Sequence, residues 1–218
     1  IVVRFLNGHD NPRIASIAAK DPKLGCRWAE GCRDDALPPL AYADPAVYVK
    51  LKRALTVLYS MPGVPYLYQG DEVAFGGGAD PDMRRNMLFG GALASLEMAR
   101  PGSQAPTLTT AQLDLREHVR KLGSARTSAR ALRRGDRKTL LGEGDLWVYA
   151  YQTGPKEIAV VVVNRGGAVN ARSIDASQLQ LGSVTKWTSA LGNGTAATNG
   201  TALAISVGAG EAAIFAAQ

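Results

Sequence analysis

The sequence is poor in the residues that mark several common protein classes. It has two cysteines and two histidines in 218 residues. Cys26 and Cys32 are separated by five residues, not by the two of a zinc knuckle or thioredoxin motif, and no histidine follows closely. A local disulfide in an exported protein and a pair of free thiols both stay open as readings. No run of eighteen apolar residues occurs, so no membrane-spanning helix is expected. The chain has no initiator methionine and no signal-type start. It opens inside what reads as a core strand, so a processed or truncated piece of something longer is expected.

The apolar content, 46%, is enough for a real core in one large or two modest domains. The net charge of +6 raises the question of nucleic acid. The basic residues are unevenly placed, however, and nine of the 25 fall between Arg116 and Lys138. No aromatic residue interleaves with them, so there is no platform on which bases could stack. They are read as a solvated helix face, and neither a nucleic-acid nor a membrane partner is expected.

The first thirteen residues, IVVRFLNGHDNPR, carry the most information. A run of β-forming residues, Ile1 to Leu6, stops in a polar cluster containing His9, Asp10 and Arg13. A buried strand ending so is how a parallel α/β barrel presents catalytic groups at its C-terminal face. A polar loop with an Asn-Pro turn is the other reading. Asp44-Pro45 then predicts a helix start, with Asp as N-cap and Pro in the first turn. Val47, Leu51, Leu55 and Leu58 supply its apolar stripe. Met61-Pro62-Gly63 ends it, and Val64 to Tyr68 reads as a second buried strand closing in Gln69, Asp71 and Glu72. A Gly-rich loop, GGGADPDMRRN, follows. Thr109 with Gln112 is a candidate capping box. It opens a helix whose stripe is Leu115, Val119, Leu122 and Ala129. Strand, helix, strand, helix implies parallel strands with right-handed crossovers.

After about Gly135 the pattern changes. Trp147, Tyr149 and Tyr151 alternate at period two, and Ile158 to Val163 is a continuous apolar strand. Gly-rich turns recur, which predicts an antiparallel sandwich or barrel. Asn193 and Asn199 each begin an Asn-Gly-Thr sequon, and Asn-Gly favours the hairpin-turn reading of both.

FLNGHDNPR resembles the fourth sequence region of the α-amylase family (glycoside hydrolase family 13), in which a barrel strand ends in Asn-His-Asp. GVPYLYQGDEVAFGGGADPDMRRNM resembles that family's eighth-strand region, which runs Gly-Ile-Pro, a few apolar residues, Gly-Asp/Gln-Glu and Asp-Pro-x-x-Arg. Two motifs in order, one helix apart and followed by a β-rich tail, are far more specific than either alone. The fold implied is α/β plus all-β: residues 1–135 as an incomplete C-terminal part of a (β/α)8 TIM barrel, and residues 136–218 as a C-terminal antiparallel β-sandwich. Gly8 departs from the pattern by standing where the family usually has Asn, a loss that Asn7 could make good. The nucleophile and acid/base carboxylates, which the resemblance places on strands four and five, are absent from the sequence, as is the remainder of the barrel.

The resemblance implies part of a retaining glycoside hydrolase acting on α-1,4-glucans, oligosaccharide or polysaccharide, with the isolated chain inactive. Retention needs two carboxyl groups close together. The family adds a third, implied here to be Asp10, which favours the oxocarbenium-like transition state. His9 is implied to donate a hydrogen bond to the same sugar. Asp80 and Arg84 are implied to hold the sugar further along, and the other reading is that they pair with each other to staple the loop. A non-catalytic carbohydrate-binding module or inactive relic is the alternative for the whole, and a transglycosidase or a trehalose- or sucrose-acting relative the alternative within the family. No metal or cofactor is expected in this fragment, because the spacing of Asp71, Glu72, Asp80 and Asp82 matches no calcium loop. A structural calcium and a secreted or periplasmic location are expectations for the complete parent. Tyr66, Tyr68 and Phe75 read as packing, Asp71 and Glu72 as an ionic lock on the loop, and His118 as a surface residue.

Overall fold

The computed structural model describes residues 2–20, 41–78, 82–84, 108–184 and 186–218. Cys26, Cys32 and Asp80 lie outside the described residues. The chain divides into two compact units. One comprises Ile1–Arg4, Lys52–Pro65 and His118–Gln218, and the other Phe5–Leu51 and Tyr66–Glu117.

The elements begin with β1 (Val3–Arg4), α1 (Ile14–Ala19), α2 (Pro45–Ser60) and β2 (Val64–Pro65). β1 and β2 pair in parallel, Val3 with Val64 and Arg4 with Pro65, as the strand–helix–strand pattern requires. Both are shorter than their apolar runs. Val2, Val3 and Val64 are at least half exposed, which corrects the expectation of buried strands. The reason is geometric: two parallel strands bury their apolar side chains only when further layers cover them.

α2 forms as its sequence dictates. The Asp44 side chain accepts a hydrogen bond from the Ala46 backbone N–H, and Val47, Leu51, Leu55 and Leu58 are all buried. α3 (Thr110–Ser128) starts at a reciprocal capping box. Gln112 N donates to Thr109 Oγ1, and Thr109 N donates to Gln112 Oε1. Its buried stripe is Leu115, Leu122 and Ala125. Val119 is only half-buried, and Ala129 falls at a break before the short α4 (Arg130–Arg134).

The change from helix to strand falls between Gly135 and Asp136. β3 (Asp136–Glu143), β4 (Leu146–Gly154), β5 (Glu157–Asn164), β6 (Val169–Asp175), β7 (Trp187–Leu191), β8 (Thr195–Asn199), β9 (Ala202–Val207) and β10 (Ala212–Ala217) follow. They form a five-stranded sheet, β3-β4-β5-β10-β7, and a three-stranded sheet, β6-β9-β8, antiparallel throughout. The core between the sheets is built from alternate residues: Val148 and Ala150 of β4, Ile158, Val160 and Val162 of β5, Leu203 and Ile205 of β9, and Phe215 of β10.

The intervening residues of the larger sheet are buried too, including Tyr149, Tyr151, Ala159, Val161 and Ile214. Helical segments of the same unit cover that face: α4 packs on β4 and β5, and Ser60 at the end of α2 hydrogen-bonds the Tyr149 hydroxyl at 2.6 Å. Burial on both faces explains why β5 reads as an unbroken apolar run.

Two hairpins are as tight as their sequences suggest, with Gly144-Asp145 joining β3 to β4 and Pro155-Lys156 joining β4 to β5. Gly144 takes the left-handed conformation (φ +54°) that its turn needs. Asn199 ends β8 in the hairpin to β9, whereas Asn193-Gly194 is not a hairpin. It carries the chain from β7 to β8 in different sheets, because the partner of β7 is the distant β10.

Two further expectations need correction. Arg126, in the basic segment read as a solvated face, points its guanidinium at the carbonyls of Tyr59, Met61, Gly63 and Leu132. His118 is half-buried, its Nε2 lying 3.1 Å from Thr56 Oγ1 and 3.2 Å from the Lys52 carbonyl. In both cases the partners are more than sixty residues away in sequence, apart from Leu132.

Candidate functional site

The segment after β1 turns at Gly8, where Asn11 N–H donates to the Gly8 carbonyl at 3.3 Å, and lines an open pocket of about 220 Å³. Phe5, Asn7, Gly8, His9, Asp10, Asn11 and Tyr66 form its wall. A Cβ added at Gly8 would meet nothing within 4 Å, so the backbone there leaves room beside the pocket.

Asp10 is gripped from both sides. His9 Nε2 lies 2.9 Å from Asp10 Oδ2, and Arg84 Nη2 lies 3.1 Å from Asp10 Oδ1. Arg84 Nε also donates to the His9 carbonyl at 3.1 Å. The side chains of His9, Asp10 and Arg84 are 70%, 64% and 49% exposed, so this constellation faces solvent. A carboxylate offers about four acceptor sites, and the two contacts leave capacity for ligand hydroxyls. The His9 edge that meets Asp10 is Nε2, which leaves Nδ1 as the ring atom open to a ligand. The structure thus brings together three of the four site residues read from the sequence, His9, Asp10 and Arg84.

Beneath this surface lies a buried cluster that sequence reasoning left in pieces. Arg13, at the start of α1, is fully buried. Its Nε donates to the Met83 carbonyl at 3.0 Å and its Nη1 to the Gln69 carbonyl, while its backbone N–H donates to Gly77 O at 2.8 Å. The guanidinium carbon sits 4.5 Å from the centre of the Tyr68 ring and 5.9 Å from that of Phe75. Tyr68 and Phe75 are therefore packing for a cation, and Tyr66 alone of the three aromatics reaches the pocket.

Asp71 is buried 3.8 Å from Arg13 Nη1 and accepts a hydrogen bond from Asn7 Nδ2 at 3.2 Å. Burial pushes its carboxyl up to about 7 and outweighs the opposing pull of Asn7 and Arg13. The same burial lowers the Arg13 guanidinium below its ordinary value, against the attraction of Asp71. Among the described residues, Asn7 Oδ1 is buried with no hydrogen-bond partner. Glu72 braces the turn by accepting from Gly70 N–H at 2.9 Å. Gly70 itself (φ +88°) lies so close to Phe75 that a Cβ would come within 2.3 Å of the ring.

Asp71 and Glu72 thus lock the loop as their place at a strand end suggests. The signal that could have located Arg13 is its position three residues after Asp10, with a strand end and a Gly-rich loop left to supply carbonyls. Among the described residues, no group of three or more His, Cys, Asp or Glu side chains is placed to hold a metal ion.

No family model matches the chain. It is similar to an amylopullulanase of Thermoanaerobacter thermohydrosulfuricus, 26% identical over 98% of this chain and 13% of the relative. It is also similar to a cyclomaltodextrin glucanotransferase of Geobacillus stearothermophilus, 31% identical over 56% of this chain and 14% of the relative. Among solved structures, the α-amylase of Geobacillus thermoleovorans in complex with acarbose superposes on all of this chain with a TM-score of 0.69 at 21% identity, and 39% of that enzyme is covered. The chain spans less than a fifth of these two curated relatives and well under half of the solved enzyme. The fold is accordingly the C-terminal part of a (β/α)8 barrel joined to an antiparallel β-sandwich.

Proposed function

We propose that the chain, similar as it is to α-glucan-acting enzymes, is the C-terminal part of a retaining enzyme of the α-amylase family acting on α-1,4-glucans, with the barrel portion in residues 1–135 and the β-domain in 136–218. The observation that carries this reading is the exposed His9–Asp10–Arg84 constellation in the pocket wall after β1. Asp10 supplies a negative charge that is fixed in place before the reaction, because a cation and an imidazole hold its two oxygens. A fixed anion aimed at a developing positive charge costs no reorganisation in the transition state. An oxocarbenium-like sugar ring is such a charge.

In this reading the free acceptor capacity of Asp10 takes two hydroxyls of the sugar at the cleavage point. Tyr66 borders the same pocket with an exposed ring that can pack on a sugar face. Arg84 holds the carboxylate through Nη2 and the His9 backbone through Nε, which keeps Asp10 and His9 aimed together at the pocket. The nucleophile and proton donor lie in another part of the complete enzyme, so this segment alone supplies sugar binding and transition-state charge rather than turnover. An exported parent is part of the proposal. A structural calcium belongs to that parent and not to this pocket, where the reading needs no metal.

The test is calorimetric titration of the chain with maltoheptaose, with cellohexaose as the control. Binding of the α-linked oligosaccharide that is lost in Asp10→Ala, with no binding of the β-linked one, supports the reading. Equal response to both sugars, or maltoheptaose binding unchanged in Asp10→Ala, overturns it.

A further inference from the structure

We infer that Arg13 is a positioning residue for the site: by fixing the backbone at Met83 it sets the Arg84 guanidinium against the Asp10 carboxylate. The consequence for sugar binding rests on the function proposed above, whereas the geometric statement does not.

The pair of Arg84 and Asp10 is half or more exposed on both sides. Such pairs are worth little by themselves, because two long side chains must be ordered in water. A pair of this kind forms reliably only where the backbones that carry it are already in place. Arg13 does this for both partners. It stands three residues after Asp10 in the same segment, and its fork reaches across to Gln69 and Met83 in the other. The Met83 carbonyl oxygen and the Arg84 Cα belong to one planar peptide unit. Holding that oxygen at 3.0 Å therefore fixes the plane from which the Arg84 side chain departs. The hydrogen bond from Arg13 N–H to Gly77 O adds a third point on the same loop.

Arginine suits this task and lysine does not. The two side-chain bonds run from different nitrogens of a rigid fork to carbonyls fourteen residues apart, a geometry that one ammonium does not reproduce. The flat cation also fills the space between Tyr68 and Phe75, with the Asp71 carboxyl 3.8 Å from Nη1. Every group in this argument lies within one compact unit of the chain.

The experiment follows the His9 ring proton resonances in the full chain. There are two histidines in the sequence, and His118→Gln assigns them. Arg84→Ala removes the cation from the far side of Asp10 and is expected to shift the His9 signals. Arg13→Met is expected to shift them the same way, and the double variant to move them no further. Arg13→Lys, which keeps the charge beside Asp71, is expected to behave like Arg13→Met. Should Arg13→Met fail to fold because it strands a buried carboxylate, Arg13→Met/Asp71→Asn takes its place and Arg13→Lys is read alongside. His9 signals at their wild-type positions in a folded Arg13 variant overturn the inference, as does full restoration by lysine.

A parallel titration with maltoheptaose separates the two claims. Arg13→Met and Arg84→Ala are each expected to weaken binding about tenfold, the loss of one charge-assisted hydrogen bond. No maltoheptaose binding by wild type, with His9 responding as expected, sinks the sugar reading and leaves the positioning role intact. Undiminished binding in Arg13→Met with His9 unmoved does the reverse.

Discussion

Replacing Arg126 by methionine tests the most consequential departure from the sequence reading, because it turns a residue of an apparently solvated basic face into a structural one. Arg126 Nη1 donates to the Tyr59 carbonyl at 2.6 Å and, at 3.3 Å each, to those of Met61 and Leu132. Nη2 donates to the Gly63 carbonyl at 2.5 Å. Those of Tyr59, Met61 and Gly63 are the carbonyls left over where α2 ends and the chain enters β2, groups that a helix end cannot satisfy internally, while that of Leu132 belongs to α4. Methionine keeps the aliphatic stem and removes every donor. Two of the four bonds are short, and hydrogen bonds from a charged donor contribute ~1.5–3 kcal/mol each. Part of that is regained by water, since the side chain is only half-buried, which leaves a net loss of about 3 kcal/mol. For a chain of this size that corresponds to a fall in Tm of roughly 6–12 °C. Urea unfolding should show the midpoint moving with little change in slope. Arg130→Met is the control, because among the described residues Arg130 pairs only with the exposed Glu157 at 3.4 Å, worth ~0–1 kcal/mol. An Arg126→Met loss no larger than the control's would refute the capping argument. Arg126→Lys should recover less than half of the loss, since one ammonium cannot span Tyr59 and Gly63 together.

What could be read from the sequence was what local chemistry decides. Asp44-Pro45 set the start of α2, the Thr109–Gln112 box set the start of α3, and Gly144 set the first β-hairpin, each through contacts within a few residues. The motif after β1 placed Asp10 beside His9 for the same reason, and the strand–helix–strand order put Arg84 within reach. What could not be read was decided at a distance. Asn193-Gly194 looks like Asn199-Gly200, but its strand pairs with β10, some twenty residues on, and the turn becomes a crossing between sheets. Arg13 and Arg126 look like any other arginine until the carbonyls they satisfy are known, and most of those lie 56 to 70 residues away. The exposed Val2 and Val3 are the converse case: an apolar run records what a strand can bury under further layers, and among the described residues no such layer covers them.

On the function proposed above, Asp10→Asn in the full-length parent should lower turnover by about 100-fold with the fold unchanged, as circular dichroism would verify. A loss under about tenfold would show that Asp10 has another task. Asp71 should make stability fall as pH rises. Its carboxyl holds a proton up to about pH 7 in the folded chain but only to the ordinary carboxylate range when unfolded, so its contribution is full below about pH 4 and lost on the way to pH 7. Asp71→Asn should flatten that part of the curve, and an unchanged slope in urea titrations between pH 4 and 7 would rule the assignment out. The last prediction concerns where the β-domain can be cut. Patterning alone places the start of the β-domain at residue 136. The sandwich core supports this, but the second face of the larger sheet carries Tyr149, Val161 and Ile214, all buried, under α4 and the end of α2. A cut at 136 bares that face and removes the partner of the Tyr149 hydroxyl, exposing a contiguous apolar patch of the kind that drives association. Limited proteolysis of the full chain should therefore leave a resistant core that retains α4 and begins well before residue 136. A fragment starting at 136 that is monomeric by light scattering, and as resistant to protease as the full chain, would show that the helical cover contributes nothing to the stability of the sheet.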